Sequence, residues 1–258
     1  MQPAIQVCLR RDGRVILNRA IGHSAGNGPT DPVDAQQVTV RTDTPFCVYS
    51  TAKAITTTVT HMLVERGAFS LEDRVCDYLP GYTSHGKDRT TIRHVLTHSA
   101  GIPFATGPKP DLKRMNDSDY AREMLSAMKP VYRPGRVHIY HGVTWGPLMR
   151  EIISAATGRS IRDILHDEIL APLKFRWTNY GVAASDVPLV ARSHVTGTPL
   201  PAPIARAFRL AVGGTPQQII PLSNTPEFLT SVIPSSNTVS NAFELCRFAE
   251  LLCRGDRR

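Results

Sequence analysis

The chain has 258 residues, 41% of them hydrophobic and 20% charged, a composition that excludes a disordered tail, a coiled coil or a collagen-like chain and suits one folded domain over 1–258. Its formal charge is +8, from 30 basic and 22 acidic residues. The arginines are scattered singly except for Arg10-Arg11 and Arg257-Arg258, so no basic face interleaved with aromatics marks a nucleic-acid partner. No apolar run approaches the roughly 18 residues of a membrane span. The opening MQPAIQVCLRRDGR has no basic region followed by an apolar one, so no signal peptide is expected. The five cysteines are odd in number and form no CxxC, which fits reduced thiols in a cytoplasmic protein.

The first elements form a hairpin. Ile5 to Arg11 and Arg14 to Ala20 are β-like runs joined by Asp12-Gly13, a dipeptide that accepts the positive φ angles of a tight turn. Residues 21–45 are rich in Gly, Pro, Asp and Thr and read as loop. Ser50 to Arg66 reads as a helix with Ala52, Ile55, Val59, Met62 and Leu63 on one face and Gly67 as its stop. Ser70 and Asp73 have the spacing of a capping box for a short helix before Pro80. Further helices are expected near 91–97, 118–128, 144–156 and 160–170. Residues 196–238 are rich in Pro, Thr and Ser and read as a loop or lid. A final helix over about Asn241–Cys253 should bury Phe243, Leu245, Phe248 and Leu251 or Leu252 before Gly255.

Two serine patterns compete for the role of nucleophile. Gly22-His23-Ser24-Ala25-Gly26 is a formal GxSxG. A nucleophile elbow of that type needs a helix directly after the serine, and the following Asn-Gly-Pro-Thr-Asp-Pro cannot form one. Ser-x-x-Lys occurs at Ser50/Lys53, Ser84/Lys87 and Ser126/Lys129, so context must choose. Ser84/Lys87 lies in a glycine-rich loop, and Ser126/Lys129 at a helix end before Pro130. Ser50/Lys53 opens a long helix, where free N–H groups and the positive end of the dipole surround the serine. A lysine three residues on shares the serine's helix face, and desolvation would lower its pKa enough to take the serine proton. Spacing alone is equally compatible with an N-cap serine and an exposed lysine. His94 and His98, four apart, could share a metal, but no third ligand accompanies them. Packing or hydrogen-bonding roles are expected for them and for His138 and His141, and no cofactor is expected.

The run Phe46-Cys47-Val48-Tyr49-Ser50-Thr51-Ala52-Lys53 resembles the active-site segment of the serine β-lactamase and penicillin-binding-protein superfamily, closest to its class C β-lactamase and related esterase branch. The resemblance continues through Glu65-Arg66-Gly67, through Thr91-Ile92-Arg93-His94-Val95-Leu96-Thr97-His98-Ser99-Ala100-Gly101, and through Pro134-Gly135, Tyr140, Thr157-Gly158 and Ala171-Pro172-Leu173, in family order. It implies an α+β fold, with a helical region beside an antiparallel sheet. It also implies serine hydrolysis through an acyl-enzyme, with Ser50 as nucleophile, Lys53 sharing its proton and Tyr140 protonating the leaving group. His141 and Gly142 would border the substrate pocket.

Two departures qualify what the resemblance implies. Gly142 stands where the family places an Asn whose amide binds a lactam side chain. A small ester or acyl substrate is therefore expected over a β-lactam. The late Lys-Thr-Gly or His-x-Gly motif is also missing. Thr106-Gly107, Thr157-Gly158 and Thr196-Gly197 open no convincing strand. The C-terminal strands of the sheet are accordingly expected to be lacking, leaving the hairpin's apolar residues Val7, Val15 and Leu17 uncovered. A catalytically weak relative that binds a ligand or partner in the same cleft is the alternative, and a β-lactamase a lesser one.

Overall fold

In a computed structural model, which describes residues 2–103, 111, 114 and 116–254, strands β1 (Ala4–Arg11) and β2 (Arg14–Ala25) form the expected antiparallel hairpin. Asp12 and Gly13 turn the chain with φ of 50° and 81°, the left-handed pair that matches strand twist. Strand β2 runs five residues further than expected, and the loop after it returns as β3 (Val38–Thr39) to give the order β1-β2-β3. The sheet is thus larger than a lone hairpin. Strand β4 (Phe46–Cys47) and a 3₁₀ turn, Tyr49–Thr51, lead into helix α1 (Ala52–Glu65). Gly67, at φ 72°, ends that helix as expected.

Short helices α2 (Val75–Tyr78) and α3 (Ile92–Leu96) follow, then α4 (Ser118–Ala127), α5 (Trp145–Thr157) and α6 (Ile161–Leu165). Ser70 and Asp73 bond each other's backbone in a turn, and α2 begins later than their spacing suggested. A π turn at His166–Leu170 joins α6 to α7 (Ala171–Leu173), so the expected helix over 160–170 is continuous but irregular. Strand β5 (Asn179–Tyr180) comes next.

Residues 196–238, expected to be loop or lid, contain three helices: α8 (Ala202–Val212), α9 (Pro216–Ser223) and α10 (Pro226–Thr230). Pro203, Pro216 and Pro226 sit at N1 or N2 of these helices, where a missing N–H costs nothing, while Pro221 lies inside the short α9. Thr215 and Thr225, each just ahead of a proline, take the N-cap positions. Strand β6 (Thr238–Ser240) and helix α11 (Ala242–Arg254) complete the described chain. Thr157-Gly158 is the C-terminus of α5, and Thr196-Gly197 is irregular. Thr106-Gly107 and Gly255 lie outside the described residues.

A second antiparallel sheet has the order β4-β6-β5. Its central strand, β6, is fully buried. The main core packs Ile55 and Val59 of α1 against Leu148, Met149, Ile152 and Ile153 of α5, all with no exposed surface. Burying each such side chain stabilises the fold by about 1.5–3 kcal/mol. A smaller core of Cys47, Trp177, Phe228, Leu229, Ile233 and Val239 lies under the second sheet.

The last helix departs from its expected burial. Phe248 is buried, but Leu251 and Leu252 are exposed. A carboxylate makes the anchor instead. Buried Glu244 accepts N–H bonds from Arg176, Trp177 and Thr178 and the hydroxyl of Thr178. Helix α11 also holds β1, where Gln6 Oε1 accepts the Ala242 N–H and Arg10 pairs with Glu250. These polar contacts occupy one face of the hairpin. The other presents Val7 and Leu17 to solvent, as expected, together with Ile5, Leu9 and Ile21, and Val15, paired with Arg10 beyond a bulge, is exposed as well.

Candidate active site

Ser50 lies in the 3₁₀ turn ahead of α1, on the surface. That turn is fastened from both sides. Val48 N–H donates to Thr238 O of β6 at 2.8 Å. Tyr49 holds φ at 45°, a left-handed conformation that a non-glycine residue keeps only when its surroundings enforce it. The Tyr49 hydroxyl shares a 2.7 Å hydrogen bond with Ser223 Oγ at the end of α9.

The Ser50 hydroxyl shares a 2.6 Å hydrogen bond with Tyr140 OH, 90 positions along the chain. Lys53, on the first turn of α1, is 8% exposed. Its ammonium donates to Ser235 O at 2.8 Å and lies 4.8 Å from the Tyr140 ring centroid and 5.8 Å from that of Trp145. Burial pulls its pKa from 10.5 down to about 8, because a charge removed from water is disfavoured. The structure therefore brings together Ser50, Lys53 and Tyr140, with Lys53 bonded to Ser235 O rather than to Ser50.

His141 and Gly142 sit behind Tyr140. His141 is 1% exposed; its ring accepts the Ile102 N–H through Nε2 and contacts Ile139 O through Nδ1 at 2.6 Å. This pairing fixes the proton on Nδ1. Burial holds its pKa down at about 4. Gly142 is buried beneath the last turn of α8: a Cβ there would lie 2.2 Å from Ala211 O. Backbone of α8 thus fills the space where a side chain at 142 would project.

The competing serines are placed elsewhere. Ser24 is buried in β2, where its hydroxyl donates to Val38 O, and no helix follows it. Lys87 has no exposed surface. Its ammonium donates to the carbonyls of Leu125, Ser126 and Met128 at the end of α4. It is a lysine that caps a helix C-terminus, where the dipole favours a cation. His94 caps α3 through its own Nδ1, and His138 Nδ1 meets Thr97 O. Among the described residues no group of three or more His, Cys, Asp or Glu could hold a metal. A polar cleft of about 290 Å³ bordered by Arg162, Arg176, Trp177 and Asp186 shares no residue with the Ser50 group.

A family model described as Beta-lactamase matches residues 1–258. The chain belongs to the Beta-lactamase family. Within it, the Esterase/beta-lactamase LipL of Mycobacterium tuberculosis is 27% identical over 224 residues, 83% of this chain and 52% of LipL. A penicillin-binding protein homologue from Caulobacter crescentus superposes with a TM-score of 0.79 at 26% identity, covering 99% of this chain and 66% of the other. A family VIII carboxylesterase gives a TM-score of 0.72 at 25% identity, covering 92% and 61%. The chain spans about half the length of the curated relatives it matches. The family and the α+β fold implied by the sequence resemblance are thus borne out. No helix among the described residues is long and apolar enough to cross a membrane.

Several residues at the site carried no signal that sequence reading could use. Ser235 contributes a main-chain carbonyl from a loop 182 positions away from Lys53. Ala211 also acts through its carbonyl. Tyr49 is visible only as part of the family-like run; neither its positive φ nor its hydroxyl contact to α9 carries a local sequence signal.

Proposed function

We propose that this protein is a serine hydrolase that cleaves small carboxylic esters through an acyl-enzyme on Ser50. The observation that carries the reading is the 2.6 Å Ser50–Tyr140 hydrogen bond beside a buried lysine whose pKa is lowered to about 8. A neutral Lys53 takes the Ser50 proton as Oγ bonds to the ester carbonyl carbon. As the C–O bond of the tetrahedral species breaks, Tyr140 protonates the departing alkoxide and is reprotonated from Lys53. Water then repeats the sequence against the acyl-enzyme and releases the acid. LipL and the carboxylesterase are esterases by name, which supports the class. The α8 backbone over Gly142 supports an ester over a β-lactam, since it leaves no room for an amide side chain there.

A second reading has one observation in its favour. The Lys53 ammonium donates to Ser235 O rather than to Ser50, so a relative that binds a ligand or partner in the same cleft with weak turnover is the competitor. A fluorophosphonate probe followed by peptide mass spectrometry separates the two. Labelling of Ser50, abolished by Ser50→Ala, with p-nitrophenyl acetate cleaved at a higher kcat/KM than nitrocefin, is the expected result. Labelling at Ser24, or a clear preference for nitrocefin, refutes the ester reading. An unlabelled Ser50 favours the binding protein.

A further inference from the structure

His98 follows α3 with a φ of 58°, and its side chain and backbone meet three consecutive residues of the segment that carries Tyr140. The His98 carbonyl accepts the Ile139 N–H at 3.0 Å. The imidazole stands 4.9 Å, centroid to centroid, from the Tyr140 ring. Its Nδ1 accepts the His141 N–H at 3.1 Å. Behind it, the rings of His141 and Trp145 lie 5.8 and 6.2 Å away, so the imidazole has little freedom to turn. Residues 138–141 have no regular secondary structure of their own, and a hydroxyl 2.6 Å from Ser50 needs a fixed backbone behind it.

We infer that His98 is the positioning residue that sets the Tyr140 hydroxyl against Ser50. The inference rests on the acyl-transfer reading above and adds to it the device that holds its acid in place. Because Nδ1 accepts, the ring proton is on Nε2 and the imidazole is neutral. Burial, together with the charges of Lys53 and His138, holds its pKa down at about 4, so the acceptor is present throughout the neutral range. A proton on Nδ1 would face the His141 N–H and break the contact.

The geometry separates two substitutions. In His98→Asn, Oδ1 occupies the place of Nδ1 and can accept the same N–H, and Asn tolerates a positive φ better than most residues. In His98→Phe the ring stays and the acceptor is lost. A misplacement near 1 Å can cost on the order of 10²-fold. His98→Phe is therefore expected to lower kcat on p-nitrophenyl acetate by about 10- to 100-fold with KM within about twofold, and His98→Asn to stay within a few-fold of wild type. Acting through Tyr140 has a further signature: His98→Phe/Tyr140→Phe should be no slower than Tyr140→Phe alone. Losses that multiply in the double variant, or a His98→Asn as slow as His98→Phe, overturn the inference. Should Tyr140→Phe keep wild-type kcat, the assignment of the acid is wrong, while the hold on the segment is still decided by hydrogen exchange. The His141 amide should exchange slowly in wild type and His98→Asn and much faster in His98→Phe. Equal protection in all three shows that the Nδ1 contact does not fix the segment.

Discussion

Replacing Gly142 with Ala tests the packing of α8 directly. The φ of Gly142 lies outside the left-handed region, so the substitution carries no backbone strain and its effect is purely steric. The new Cβ would sit 2.2 Å from Ala211 O and 3.0 Å from Ala211 C. Ordinary contact begins near 3.4 Å, so the α8 backbone must retreat by about 1.2 Å or the segment around 142 must move. Overpacking of this kind costs about 1–3 kcal/mol where the surroundings are rigid. Here they are rigid on one side only. Residue 142 is backed by buried His141 and Thr144, whereas α8 has no buried residue and exposes Ile204 and Leu210. The cheaper response is for α8 to leave. An unfavourable 1–3 kcal/mol on the docked state raises the undocked population by roughly 5- to 150-fold. Arg206 and Arg209 lie on α8, so limited trypsin digestion reads that population, with circular dichroism reporting the melting of the remainder. The expected result is faster cleavage after those arginines with Tm nearly unchanged. Wild-type cleavage rates in Gly142→Ala would show that α8 does not rest on Gly142, and the account of why residue 142 has no side chain would fall.

Three further expectations concern buried lysines. If Lys53 must be neutral to act, kcat/KM rises with pH through about 8, and a profile flat from pH 6.5 to 9.5 would remove Lys53 from the reaction. Stability follows the same proton: the folded pKa lies below the ordinary 10.5, so the unfolded chain binds more protons between about 8 and 10.5. The Lys53 contribution to stability should accordingly rise with pH across that window and stay constant below it, measured as the urea-unfolding difference from Lys53→Met. Lys87→Met leaves the Leu125, Ser126 and Met128 carbonyls without their shared donor. It should destabilise by about 2–4 kcal/mol, a fall readable in the urea midpoint without loss of the Ser50 label.

The parts of this fold that were legible in the sequence are those governed by local chemistry. Asp12-Gly13 announces its turn, the apolar face of α1 its helix, and Gly67 its end, because each depends on residues a few positions away. The segment 196–238 misled for the opposite reason. Thr-Pro at 215–216 and 225–226 reads as a breaker when counted as composition, yet it is an N-cap followed by a first-turn proline when taken in order. The inner face of α11 was misjudged because a hydrophobic pattern cannot announce a buried carboxylate such as Glu244, whose four donors come from residues 176–178. At the site, side chains with chemical identity (Ser50, Lys53, Tyr140) could be named in advance. The carbonyls of Ser235, Thr238 and Ala211 could not, since every residue carries one and only the tertiary fold selects among them.

Strand β6 gives the order in which this protein becomes itself. It pairs with β4 on one side and β5 on the other, accepts the Val48 N–H, and follows the loop whose Ser235 carbonyl takes the Lys53 ammonium 182 positions upstream. Ser50 and Lys53 are synthesised long before the strand and loop that tether their segment. Closing so long a loop is slow, and until it closes neither the left-handed Tyr49 nor the buried ammonium has a reason to persist. The Ser50–Lys53–Tyr140 geometry is therefore a product of the last part of the described chain as much as of the first.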